Sequence, residues 1–132
     1  MSTIKSISPT QAHEILQGDS STQLIDTRTS IEYSFIGHPI GAIHVPLKRP
    51  PEWLAFPDFI EKVASHVADT TTPIILMCRS GARSMAAAEL LAEAGYKSLY
   101  NMDEGFEGDK DHNNHRGNIG GWRFHGLPWE QS

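Results

Sequence analysis

Pro73-Ile74-Ile75-Leu76-Met77-Cys78-Arg79-Ser80-Gly81-Ala82-Arg83-Ser84 is the stretch around which the chain is organised. The apolar run Ile74 to Met77 reads as a buried strand and Arg79 to Arg83 as a tight polar loop. Ser84 to Ala94, rich in Ala, Leu and Glu, reads as a helix with Gly95 in the C′ position after it. A strand that runs through a short loop into a helix aims the residue at its end toward the loop's N–H groups and the positive end of the helix dipole. That residue is Cys78, the single cysteine of the chain. The thiolate is the reactive form of cysteine, and an N–H-rich setting with two arginines lowers a thiol pKa from its usual value of about 8.5. Cys78 is therefore read as a nucleophile. The plainer alternative, a small buried hydrophobe, fits poorly with a Gly-containing, doubly cationic loop.

Outward from this unit, strand-like and helix-like segments alternate. Ser8-Pro9-Thr10-Gln11 has the form of a capping box with Pro at the first helical position, and Gly18 closes that helix. Leu24 and Ile25 read as a buried strand whose end presents Asp26, Thr27 and Arg28. Ser30 to Phe35 reads as a short helix ended at Gly37, and Gly41 to Val45 as a strand stopped by Pro46. A Pro-rich crossing, Lys48 to Trp53, follows. Phe59, Ile60, Val63 and Val67 recur at helical spacing, and Leu99 to Met102 supply a last strand. Strands separated by helices over this length imply an α/β fold with a mostly parallel central sheet flanked by helices on both faces. The site then lies at the strands' carboxyl ends, where Asp26, Arg28 and Cys78 all fall.

A length of 132 residues accommodates one domain with a proper core, expected over 1–132. The apolar fraction of 39% with 20% charged residues is that of a globular chain. A net charge of −5 without any run of Lys or Arg speaks against nucleic acid and anionic membranes as partners, so any anion has to be captured locally. One cysteine cannot form an internal disulfide, Met1 to Pro9 has no apolar signal-like region, and no stretch of about 18 apolar residues occurs. A cytoplasmic location is expected.

These residues resemble the rhodanese-like sulfurtransferases. The loop Cys78 to Ser84 is similar to that family's active-site loop, Leu24-Ile25-Asp26-Thr27-Arg28 to its Asp-x-Arg strand end, and Glu32-Tyr33, Gly37-His38 and Gly41-Ala42 to its first signature. Trp122-Arg123-Phe124-His125-Gly126-Leu127-Pro128 resembles its closing segment. The similarity runs over roughly residues 5 to 129. Two departures stand out: Pro39 and Ile40 are exchanged relative to the family's Gly-His-Ile-x-Gly-Ala, and an insertion occupies about residues 107–121.

The resemblance implies a three-layer rhodanese-like fold and transfer of a sulfane sulfur through a Cys78 persulfide. The donor is thiosulfate or a similar small anion, and the acceptor is cyanide, a thiol or a sulfur-carrier protein. The loop Arg79, Ser80, Gly81, Ala82, Arg83 and Ser84 binds donor and persulfide, Asp26 and Arg28 support it, and no metal or organic cofactor is required. Related phosphatases and arsenate reductases have five residues between Cys and Arg where sulfurtransferases have four. Four separate Cys78 from Arg83, which favours sulfur transfer. A non-catalytic sulfur-relay or docking module is the further alternative. Arg83 is expected to make a fixed contact with Asp26 or to hold the donor. Arg79 is expected to face solvent and meet the substrate.

Asp26, Arg28 and Glu32 read as braces before catalysts. Sulfur transfer needs no general base once the thiol is ionised, so His38 and His44 are weak candidates. In the insertion, Asp109-x-Asp111-x-Asn113 echoes a calcium loop but has Asn114 and Gly120 where Gly and Glu are needed. His112 and His115 could chelate a transition metal, yet a solvated polar loop shaping access to the site is the better reading. Trp53, Phe56 and Trp129 are read as caps on a core or cleft wall, and a monomer is expected.

Overall fold

The computed structural model describes residues 4–49, 54–55 and 58–131, with the backbone alone at Arg49, Leu54 and Ala55. Trp53 and Phe56 lie outside the described residues. The elements run β1 (Ile4–Ile7), α1 (Pro9–Gly18), β2 (Gln23–Asp26), a π-helical turn (Glu32–Ile36), β3 (His38–Pro39), β4 (Ile43–His44), β5 (Lys48–Arg49) and β6 (Leu54–Ala55). Then come α2 (Phe59–His66), β7 (Ile74–Met77), α3 (Ala82–Glu93), β8 (Leu99–Met102) and β9 (Trp129–Glu130).

Five strands form a parallel sheet in the order β1-β8-β7-β2-β4. The two central strands next to the site, β7 and β2, pair from Gln23 with Ile74 to Asp26 with Met77, so their carboxyl ends are level. Alternation along the strands splits the core in two. Ile25, Ile74 and Leu76 pack with Phe59 and Val63 of α2 and Ala87, Ala88 and Leu91 of α3. Leu24, Ile75 and Met77 pack on the other face with Ala12 of α1, Met102, Phe106 and Trp122. Each fully buried aliphatic side chain contributes roughly 1.5–3 kcal/mol. The expected α/β architecture with helices on both faces is the observed one.

Helix α1 begins as its sequence dictates. Ser8 Oγ accepts the Gln11 N–H at 3.1 Å, and Gln11 Oε1 accepts the Ser8 N–H at 2.9 Å. Helix α3 starts at Ala82, two residues before the expected Ser84, because Gly81 at φ +113° turns the chain into it directly. It ends at Gly95 (φ +102°), with the Tyr96 N–H reaching back to the Leu91 carbonyl at 3.1 Å. The expected strand over 41–45 is laddered only at Ile43 and His44. Beyond Pro46, which has no N–H, Leu47 bonds to the Thr27 carbonyl at 3.1 Å. The expected helix at 30–35 is a π turn, closed by the Gly37 N–H on the Glu32 carbonyl at 3.3 Å.

Candidate active site

Cys78 follows Met77 at the carboxyl end of β7 and is 1% exposed. It nevertheless lines a cavity of about 370 Å³ together with Lys48, Arg79, Ser80, Ala82, Arg83 and Arg116. The Gly81 N–H donates to Cys78 Sγ at 3.1 Å. The first N–H groups of α3 have no carbonyl one turn back to bond, so the helix start presents further positive dipole to the loop.

The loop is fixed from below by β8. Buried Ser84 lies 3.4 Å from Sγ, 3.2 Å from the Gly81 carbonyl and 2.5 Å from Asn101 Oδ1. A hydroxyl has one hydrogen to give, and the shortest separation directs it to Asn101. Asn101 Nδ2 donates in turn to the Gly81 carbonyl at 3.2 Å. From the side, the Phe106 N–H bonds to the Cys78 carbonyl at 2.9 Å and the Glu107 N–H to the Arg79 carbonyl at 3.1 Å. The closing segment supports that turn through the Trp122 N–H on the Gly105 carbonyl at 2.8 Å.

Arg83 makes its fixed contact with Glu32 and not with Asp26. Its Nη1 and Nη2 donate to Glu32 Oε1 and Oε2 at 2.8 and 2.9 Å, a bidentate fork. Asp26 is taken by its neighbour, with Arg28 Nε and Nη2 donating at 2.9 and 2.7 Å, both side chains fully buried. Arg28 also donates to the Gly37 carbonyl and stacks over the Phe106 ring at 4.5 Å. Asp26 and Arg28 are thus a brace under the sheet edge and do not line the cavity. Arg79 is 41% exposed, with Nε 3.5 Å from Glu32 Oε2 and 3.8 Å from Glu107 Oε2. Its guanidinium leans on two carboxylates at the cavity wall while staying open to solvent.

Glu32 is the hub of this cluster. Burial opposes its ionisation, but the hydrogen bond and charge of Arg83, with the N–H and hydroxyl of Thr29, outweigh that and hold the carboxyl at about 2. A carboxyl depressed from 4.5 to about 2 stabilises the fold by about 3 kcal/mol above the ordinary carboxylate range, and that contribution is lost as pH falls through about 2. Glu32→Gln is therefore expected to lower stability at pH 7 by about 3 kcal/mol, since it leaves Arg83 without its charge partner. The gap to wild type should close between pH 5 and pH 2 in urea titrations. Parallel pH profiles for the two proteins would remove Glu32 from this role.

His38 and His44 stand away from the cavity. His38 Nδ1 is 2.8 Å from the Tyr33 carbonyl and its ring stacks on Tyr33, while His44 Nε2 is 2.8 Å from the Arg28 carbonyl. Trp129 of β9 packs edge-on to Phe106 at 6.0 Å and is 38% exposed. Sequence reasoning missed Asn101, Lys48 and Arg116. Asn101 had one signal, a lone amide in an otherwise buried strand, which requires partners. Lys48 and Arg116 sit in segments without periodicity, and only the need for cations around an anion site pointed toward such residues.

No helix among the described residues is long and apolar enough to cross a membrane. Residues 8–112 match the family model of the Rhodanese-like domain. An uncharacterised protein of Rickettsia conorii is 33% identical over 131 residues, covering 96% of this chain and 98% of its own. Thiosulfate sulfurtransferase 16, chloroplastic, of Arabidopsis thaliana is 34% identical over 125 residues, covering 93% of this chain and 90% of its own. A crystal structure of a protein from M. tuberculosis superposes with a TM-score of 0.85 at 35% identity over the whole of both chains.

Proposed function

The chain belongs to the rhodanese-like family, and on that premise we propose that it is a sulfurtransferase that carries a sulfane sulfur as a persulfide on Cys78. The observation that carries this reading is a cysteine at a strand end, its sulfur receiving the Gly81 N–H at 3.1 Å, in the wall of a cavity lined by four cationic side chains. The N–H and the helix dipole offer a counterpart to negative charge on the sulfur, as an oxyanion hole does for charge developing on oxygen.

The chemistry is double displacement. The Cys78 thiolate attacks the outer sulfur of thiosulfate, a new S–S bond forms, and the old S–S bond breaks with its electron pair leaving on sulfite. One monoanion and one dianion enter and leave, so charge balances without a proton and no general base is needed. A thiophilic acceptor then takes the terminal sulfur: cyanide becomes thiocyanate, a thiolate becomes a persulfide, and Cys78 returns as thiolate. Gly81 and the start of α3 hold the persulfide's charge between the two steps.

The fork of Arg83 argues against the phosphatase alternative. Both of its terminal nitrogens already hold Glu32, so a tetrahedral oxyanion over Cys78 would have to compete with a bidentate carboxylate for that arginine. Incubation with thiosulfate followed by intact mass measurement is expected to show a gain of one sulfur atom that cyanide removes, with no hydrolysis of an aryl phosphate in parallel. Absence of the added sulfur in a protein whose thiol still alkylates would turn the reading toward a docking module, and hydrolysis of the phosphate ester toward a phosphatase.

A further inference from the structure

The 107–121 segment is not the featureless polar loop its composition suggests. Asp111 organises it: Oδ1 accepts the N–H groups of Asn113 and His115 at 2.8 and 3.0 Å, Oδ2 accepts from Asn118 Nδ2 at 2.9 Å, and the Asp111 N–H bonds to the His115 carbonyl at 2.8 Å. The segment's two arms are stitched by the Gly117 N–H on the Glu107 carbonyl at 2.8 Å. Gly108 and Gly120 approach so closely that a Cβ on Gly108 would sit 2.4 Å from the Gly120 carbonyl oxygen. The near arm is tied to the cysteine loop itself, with the Gly108 N–H on the Arg79 carbonyl at 3.2 Å.

What this scaffold delivers to the Cys78 cavity is Arg116. Its Nη1 donates to the Gly108 carbonyl at 2.7 Å, which fixes the direction of the guanidinium, while its Nε is buried without a hydrogen-bond partner. The other arginines of the cavity are differently placed, since Arg83 is bidentate on Glu32 and Arg79 leans on Glu32 and Glu107. With one bond, to a neutral carbonyl, and no carboxylate paired with it among the described residues, the Arg116 guanidinium brings its charge to the cavity it lines.

We propose that Arg116 is an anion-capture residue, placed by the 107–121 segment to hold the charged end of a dianionic sulfur donor while its outer sulfur meets Cys78 Sγ. This rests on Cys78 being the reacting nucleophile. It assigns the segment a role in choosing the donor: a thiosulfate-like dianion gains from Arg116, and an uncharged or peptide-borne persulfide does not. The attachment to the Arg79 carbonyl makes the capture rigid, because the anion site and the cysteine loop share one backbone frame.

The test uses alkylation of Cys78, which reports on the same sulfur without a sulfane donor. Rates with anionic iodoacetate and neutral iodoacetamide are followed by intact mass on wild type, Arg116→Gln and Arg116→Lys. The iodoacetate-to-iodoacetamide rate ratio is expected to fall about fivefold in Arg116→Gln and to recover largely in Arg116→Lys, and added salt should shrink the wild-type ratio toward the Gln value. The iodoacetamide rate should stay within about twofold, the mark of an intact loop, and the thiosulfate concentration for half-maximal sulfur loading should rise by a similar factor of about five. An unchanged ratio in Arg116→Gln, or both reagents slowed equally, overturns the proposal, the second outcome leaving Arg116 a mere support for the loop. A wild type that shows the Arg116-dependent ratio yet never gains sulfur from thiosulfate would instead sink the sulfurtransferase reading and leave the anion site standing.

Discussion

Cys78→Ser is expected to leave no added sulfur after thiosulfate treatment and to reduce any turnover by at least about a thousandfold, while the urea midpoint barely moves. A serine hydroxyl stays protonated at neutral pH and is a poor nucleophile toward sulfur, so the double displacement has no first step. The fold should tolerate the change because the environment is already polar on one side. The Gly81 N–H that now donates to Sγ at 3.1 Å can donate to an oxygen, and Ser84 and Asn101 keep their own bonds. A stability change within about 1 kcal/mol follows. Two results would count against the site: sulfur still appearing on Cys78→Ser, which has no other cysteine to carry it, or collapse of the fold, which would make Cys78 a packing residue.

The sequence displayed those parts of this arrangement that depend on local pattern. An unbroken apolar run ending in Cys78, a glycine three residues later and a helix-forming stretch beyond it can be satisfied in few ways, and β7, the loop and α3 follow. The capping box at Ser8 and Gln11 is similarly local. The edge strand β1 escaped notice because Lys5 and Ser6 are exposed, leaving Ile4 and Ile7 without a readable alternation. The pairing of β3 with β9 joins residues 38–39 to 129–130, and two-residue ladders have no period to detect. Partner choice among charges was hidden for the same reason. Arg83 was expected on Asp26 or on the donor, and what puts it on Glu32 is that Arg28 folds back on Asp26 two residues away while the π turn swings Glu32 over the loop.

The result is an acidic chain with a locally cationic cavity. With a net charge of −5, long-range attraction does not draw a dianion to this protein. Glu32 solves a related problem: by pinning Arg83 and drawing Arg79 to 3.5 Å, it keeps two cations beside Cys78 from repelling each other away from the loop. Recognition is then left to cavity-wall cations that are not forked on a carboxylate, and exposed Arg79 and the loop-borne Arg116 meet that description better than Arg83.

Gly81→Ala should be strongly damaging while leaving the cysteine in place. At φ +113° an alanine is strained by about 1–3 kcal/mol, and its Cβ would lie 2.5 Å from the Asp103 carbonyl oxygen. Asp103 cannot retreat easily, because its N–H is bonded to the Ile7 carbonyl of β1 at 2.9 Å and the following turn is closed by the Gly105 N–H on the Met102 carbonyl. The loop must move instead, carrying the Gly81 N–H away from Sγ. Loss of one such donor costs about a hundredfold in oxyanion sites, so sulfur loading should slow by that factor. Gly95→Ala supplies the comparison: it has a similar φ of +102° but open space around a new Cβ, so it bears the strain without the clash. Stability should fall by about 1 kcal/mol at Gly95 and by about 3 kcal/mol or more at Gly81, with sulfur loading slowed only in the second. Equal losses in the two variants, with sulfur loading unchanged in both, would show that the Gly81 N–H does not hold charge on the Cys78 sulfur.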